Sequence, residues 1–230
     1  MNLYALLFLS FIPLIAVLLI FLILIPGQKL RYCLWSCVIG LFTVLPTAFI
    51  QYYVLNLPIF NSNTVISLLI TAIIFNGLIE ETLKMLFMAF LPSKKVTISV
   101  FFTCGLLCGL TLGCFESVIY FVNRIQNSSI PMELSQIYNL FLSRMFTSVL
   151  IHTFCAGLSS LYLWMFKHKS NHLMPFIYAV LLHGIYNFFA GFKSNYYWFA
   201  IVAILFSILE CRIWYKYITL PDTGVDIKRN

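Results

Sequence analysis

Glu80 and Glu81 stand side by side in an apolar stretch, with Lys84 one helical turn further on. Three other apolar stretches carry polar groups of the same kind: Glu116 with Tyr120, then His152, then His183 with Asn187. An ionisable side chain at membrane depth costs at least about 2.5 kcal/mol on insertion scales. A chain with only seven acidic residues that commits three to such positions must therefore face them toward one another or toward a wet cavity. The spacing agrees with this. Glu80 and Lys84, Glu116 and Tyr120, and His183 and Asn187 are each i and i+4, so each pair shares a helix face. At 1.5 Å per residue, His152 falls about 12 Å from one end of its span and His183 about 15 Å from the opposite end of its own, with Glu80 near mid-span. The depths overlap, and one cluster is the expectation.

Carboxylates beside imidazoles suit general acid–base chemistry. A Glu–His pair can take a proton from water and make it a nucleophile. A second His with an Asn amide can donate hydrogen bonds to a developing oxyanion. Ser117 and Cys155 lie near these positions but have no evident base of their own. Three other readings stay open at this point. Glu80 and Lys84 can form a purely structural pair. Glu81, Glu116 and His152 can supply the three protein ligands of a zinc site, although no HExxH is present, so no metal or other cofactor is expected. The same groups can relay protons in a transporter, against which stands the lack of an internal repeat.

The elements that hold these residues follow from composition. Hydrophobic residues make up 62% of the 230 and charged ones 9%, against about 25% charged in soluble domains. Lipid must be the solvent for most of the chain. Continuous apolar runs exclude a barrel and leave helices as the spanning element. The reading is an all-α transmembrane bundle of about seven spans: Leu3–Ile25, Cys33–Tyr53, Val65–Leu91, Val96–Val122, Met145–Phe166, Leu173–Phe192 and Tyr196–Tyr217. Residues 1–220 form one domain and 221–230 a polar tail. Leu3–Ile25 has no basic flank or cleavage site and reads as a retained helix. Met132–Leu142 suits a short interfacial helix. Gly105, Gly109 and Gly113 line one face of the fourth span, where they let another helix approach; they either bring Glu116 toward the third span or serve ordinary small-residue packing. His168 and His172 read as solvated loop residues. The seven cysteines sit in or beside apolar runs and read as packing residues.

The net charge of +7 forms no stripe, so nucleic acid is not an expected partner; the bilayer is. Lys29, Arg31, Lys94, Lys95, Lys167, Lys169, Arg212, Lys216, Lys228 and Arg229 flank one side, and Arg124, Arg144 and Lys193 the other. The excess of basic residues places the first set in the cytoplasm, with the N-terminus outside and the C-terminus inside.

At these residues the sequence resembles the PrsW family of intramembrane proteases, within the larger glutamic-type group that includes the CAAX prenyl endopeptidases and the bacteriocin-immunity-type proteins. The matching pieces are Glu80-Glu81-Thr82-Leu83-Lys84 (EExxK), Phe115-Glu116 through Tyr120 (FExxxY), His152, and His183-Gly184-Ile185-Tyr186-Asn187 (HGxYN), in family order on the third to sixth spans. The CAAX enzymes usually carry EExxxR. Here position 85 is Met85 and the basic residue is Lys84, which favours the PrsW branch. Asn187 stands where that branch often has Asp. The resemblance implies a site-1-type protease of the bacterial plasma membrane that cuts a single-span substrate such as an anti-sigma factor. Carried over, Glu80 or Glu81 with His152 activates water, and His183 with Asn187 steadies the oxyanion. Lys84, Glu116 and Tyr120 support them. By analogy with the first Glu of related enzymes, Glu80 is the water-activating residue.

The orientation is open to cysteine-accessibility or reporter-fusion mapping. The loop of Lys94 and Lys95 is expected on the cytoplasmic side, and its labelling from outside would reverse the topology.

Overall fold

The computed structural model describes residues 3–55, 64–127, 133–170, 172–192 and 195–220. Lys193, and the tail with Lys228 and Arg229, lie outside the described residues. Among those described, every regular element is helical: α1 (Leu3–Leu24), α2 (Leu30–Leu55), α3 (Val65–Thr71), a π-helical segment (Ala72–Ile79), α4 (Glu80–Met88), α5 (Ile98–Gln126), α6 (Leu134–Phe146), α7 (Ser148–Lys167), α8 (Met174–Ala190), a 3-10 turn (Asn195–Tyr197) and α9 (Trp198–Thr219). Leu30–Tyr53, Val65–Met88, Ile98–Gln126, Leu134–Lys167 and Trp198–Thr219 are long and apolar enough to cross a membrane. Phe8–Leu24 and Met174–Ala190 are shorter apolar helices at two further expected spans.

Local chemistry sets the boundaries. The Thr97 side chain accepts the Val100 amide at the start of α5, and Glu133 and Gln136 form a reciprocal capping box at the start of α6. Both satisfy amides that a helix end otherwise leaves orphaned. The stretch expected as a short interfacial helix is α6 from Leu134 on, running past Leu142 to Phe146, while Met132 lies outside the described residues. It meets α7 at Thr147, whose backbone (φ −128°, ψ −77°) is not helical and so separates the two. At the other end of α7, Lys167 Nζ donates to the Ala89 and Leu91 carbonyls just past α4. A cation placed there complements exposed carbonyls at a helix C-terminus.

The centre of the bundle is α5 against α7. In their apolar windows 83% and 78% of residues are buried, against 28–33% for the other three long spans, so the remaining helices wrap this pair and turn their outer faces to lipid. Three apolar clusters hold it together. One joins Met88, Phe101, Trp164 and Ile218, another Leu158, Ala179 and Ile204, and a third Cys33, Leu110 and Val149. All seven cysteines are free, and six are buried. His168 is not simply solvated: its ring stacks on Trp164 and its Nδ1 lies 2.8 Å from the Trp164 carbonyl.

Two glycines decide how closely the site-bearing helices approach. A Cβ on Gly109 would overlap the His152 carbonyl of α7. The glycine face of α5 thus packs on the fifth span rather than the third, and Glu116 meets the third span's Glu80 only through His152. The correction has a plain cause, since a small-residue face shows that a helix comes close without saying which. A Cβ on Gly184 would lie 2.6 Å from the Ile73 Cα, so α8 crosses directly on the π-helical segment. The first crossing sets Glu116 beside His152, and the second sets His183 beside Glu81.

Gly109→Val should therefore cost about 1–3 kcal/mol or more through overpacking, read as a lower unfolding temperature in detergent. Gly191→Ala, whose Cβ meets nothing nearer than 3.4 Å, should melt as the unaltered protein does. Equal melting of both variants would contradict the close crossing.

Candidate active site

The third span changes its winding just before its two acids. The π-helical segment ends at Ile79, and Glu80 and Glu81 open α4. Such insertions re-aim the residues that follow and recur at functional sites. Adjacent helix residues point about 100° apart, and the two carboxylates serve different neighbours. Glu81 is fully buried. Its Oε1 lies 2.8 Å from His183 Nδ1 and accepts from Lys84 Nζ at 2.7 Å, while its Oε2 accepts from Ser159 Oγ at 3.1 Å. Glu80 Oε1 lies 3.0 Å from Lys84 Nζ, 2.8 Å from His152 Nδ1 and 3.9 Å from His183 Nε2. None of these approaches to Glu80 makes a hydrogen bond, since the His183 distance is too long and the other two are misaligned. Glu80 Oε1 and His183 Nε2 are both buried polar atoms without a hydrogen-bond partner among the described residues.

His152 is held from its far side. Its Nε2 makes a short contact with Glu116 Oε2. The same oxygen accepts from Ser148 Oγ at 3.0 Å and pairs with Arg144 Nη2 at 3.2 Å. Arg144 also donates to Ser148 Oγ at 2.9 Å and, through Nε, to Ser117 Oγ at 3.2 Å. Its guanidinium lies over the Tyr120 ring, 4.3 Å from the centroid. The Glu116 side chain is 47% exposed, whereas those of Glu81, Lys84 and His183 are fully buried, so the cluster opens along Glu116.

These bonds constrain the protons. Glu116 as acceptor places a proton on His152 Nε2. In the neutral ring Nδ1 then accepts from Lys84 Nζ, 3.1 Å away. In the imidazolium, Nδ1–H instead faces Glu80 Oε1. One proton thus has two seats, on Glu80 and on His152, 2.8 Å apart, and a small rotation that aligns the two groups connects them. Glu81 as acceptor likewise places a proton on His183 Nδ1 and turns Nε2 toward Glu80. The two rings meet edge to face with centroids 4.8 Å apart.

Glu80, Glu81, Lys84, Glu116, His152 and His183 come together as one cluster, drawn from α4, α5, α7 and α8. Asn187 is one turn beyond His183 and half-buried, and its side chain has no hydrogen bond among the described residues. Tyr120 does not enter the cluster; it is 42% exposed and presents its ring face to Arg144 rather than its hydroxyl to the acids. Cys155 packs in the apolar cluster between α7 and α9, and Ser117 serves Arg144. Ser148, Ser159 and Arg144 were not singled out from sequence as site residues. The serines fall four before and seven after His152, the spacing of one helix face, and that periodicity is the signal that finds them. Arg144 reads in sequence as a flanking charge, and its pairing exists only in the folded chain.

The zinc-like set also changes. The donors that converge are Glu80, His152 and His183, one ligand atom each, all within 4.8 Å of one another, and not Glu81, Glu116 and His152. Glu81 and Glu116 instead stand behind the histidines, as outer carboxylates do in metal sites. Donor type and number suit Zn²⁺. The Lys84 ammonium, however, lies at 3.0 and 3.1 Å from two of the three donor atoms. Like charges about 4 Å apart repel on the order of 4 kcal/mol per pair of unit charges near a protein surface. A divalent ion does not fit the site while Lys84 keeps its place.

The family model described as PrsW family intramembrane metalloprotease matches residues 28–209, a stretch that includes every residue of the cluster. No curated protein and no solved structure matches the chain.

Arg144→Ala frees Glu116 from its partner and should lower activity about 10- to 100-fold, the usual loss when a group that orients a site histidine is removed. Arg144→Lys should recover part of it. Tyr120→Phe, which keeps the ring under the guanidinium, should match the unaltered protein in the same turnover assay. A loss in Tyr120→Phe equal to that in Arg144→Ala would assign the work to the Tyr120 hydroxyl.

Proposed function

The chain belongs to the PrsW family of intramembrane metalloproteases, and from that membership and its buried cluster we propose that it hydrolyses a peptide bond of a membrane-anchored substrate with water activated by Glu80. As an intramembrane protease with several apolar helices it is a multi-pass membrane protein. The observation that carries the mechanism is the convergence of two carboxylate-backed imidazoles on Glu80 Oε1, His152 at 2.8 Å and His183 at 3.9 Å.

In this reading Glu80 accepts the proton of a water that attacks the scissile carbonyl. His152 Nδ1 takes that proton in its second seat and returns it to the leaving amine, while Glu116 stabilises the imidazolium as it forms. Lys84 and Glu81 hold the rest of the charge in place. His183 serves the oxyanion from Nε2. With Nδ1–H committed to Glu81, Nε2 can donate only from the protonated ring, whose charge Glu81 balances. Asn187, one turn away and free of other partners among the described residues, adds an amide donor. A bound metal would act as a Lewis acid toward the carbonyl and its water. Beside Lys84 the cluster favours the metal-free course.

We assign the substrate to the class of single-span membrane regulators, with an anti-sigma factor of the bacterial plasma membrane as the first candidate, cut from the outer side. The family membership and the opening along Glu116 support this assignment.

Co-expression with candidate single-span regulators tests the reading. Glu80→Gln should lower cleavage by at least about 100-fold, the range of a general base, with the chain still inserted. Full activity in both Glu80→Gln and Glu81→Gln would remove the glutamate mechanism. Purified enzyme should keep cleaving after exhaustive treatment with 1,10-phenanthroline; loss on chelation, restored by zinc, would move it to metal-dependent hydrolysis.

A further inference from the structure

We propose that Lys84 is the resident cation of this site: its ammonium, seated against Glu80 and His152, stands in for a divalent metal that these two and His183 would hold, and its removal converts the cluster into a transition-metal site. An ammonium has three donors and no acceptor. Two atoms accept from this one, Glu81 Oε1 at 2.7 Å and His152 Nδ1 at 3.1 Å, and Glu80 Oε1 lies 3.0 Å away as an ion-pair partner. The side chain is fully buried, so no water shares its charge.

Much else that a metal needs is in place, with small side-chain rotations left to bring the donors to bonds of about 2.0–2.1 Å. Three donors of mixed N and O type lie within 4.8 Å. Two of them, Glu80 Oε1 and His183 Nε2, are buried without a hydrogen-bond partner among the described residues. Each histidine has a carboxylate on its other nitrogen, Glu116 on His152 and Glu81 on His183, which fixes the ring and directs the remaining lone pair inward. Taking away the ammonium leaves two adjacent buried carboxylates with no cation beside them, a state that strongly favours capture of one. The tether distinguishes Lys84 from a bound ion: it cannot be chelated, exchanged or lost. The inference deepens the metal-free reading above, and its test measures binding alone, so a chain without peptidase activity still passes or fails it.

The experiment loads detergent-purified full-length protein with Co²⁺, whose visible absorption reports tetrahedral N/O coordination, and counts bound metal after dialysis. Lys84→Leu removes the charge without adding a donor. It should bind one equivalent of Co²⁺ about 100-fold or more tightly than the unaltered protein, as expected from relief of a close like-charge contact. Adding His183→Ala should abolish that site. If Lys84→Leu does not survive purification, Glu81→Gln with Lys84→Leu removes a negative charge along with the positive one and leaves the three donors, so it gives the same reading. Binding by the lysine-free variants no tighter than by the unaltered protein overturns the proposal. So does an unaltered protein that holds one tetrahedral equivalent lost in His183→Ala, whatever the variants do.

Discussion

One ammonium inside the bundle makes the rest of the arrangement tenable. Lys84 lies within 3.1 Å of Glu80, Glu81 and His152, and without it two neighbouring carboxylates would share a low-dielectric interior with no permanent cation beside them. Uncompensated buried charge costs several kcal/mol per ion. The partner comes from the same helix, one turn away, so this compensation needs no help from tertiary assembly. A span that carries its own counter-charge has a lower barrier to insertion than one that must find it afterwards.

The second half of the compensation is tertiary. Glu116 sits on α5, and its partners Arg144, Ser148 and His152 come from α6 and α7. They meet because Gly109 lets α5 lie on the α7 backbone at the level of His152. The α8 crossing at Gly184 does the same for His183 and Glu81. Glycine at a helix interior forfeits helix propensity. Here it removes the side chain that would hold the functional groups apart, and the site is as tight as the two crossings allow.

The site is also graded from closed to open. Lys84, Glu81 and His183 are sealed, Glu80 is nearly so, and Glu116 reaches the edge of the cluster, where Arg144, itself lying over the Tyr120 ring, holds it. A sealed interior strengthens each electrostatic contact, and an edge is required if water and an extended peptide are to enter. The charges that orient His152 are therefore the ones most exposed to what binds, while those that orient His183 are shielded from it.

The chain's sequence by itself determined the solvent, the helical class and the identity of the polar residues. Continuous apolar runs admit only spanning helices, and an acid or histidine within such a run is too costly to be incidental. The Glu80–Lys84 pairing was legible because it is local, set by 3.6 residues per turn. Which carboxylate backs which histidine was not legible. Glu116 with His152, Glu81 with His183, and Arg144 with Glu116 join residues 28 to 102 positions apart, and the depth arithmetic places such groups in one layer without ordering them within it. The third span's π-helical turn, the choice of α7 as the partner of the glycine face, and the distance of Tyr120 from the acids likewise belong to tertiary packing. Rotation of a helix about its own axis costs little in lipid until a neighbour's side chains interlock with it, so only the packed bundle decides which faces meet.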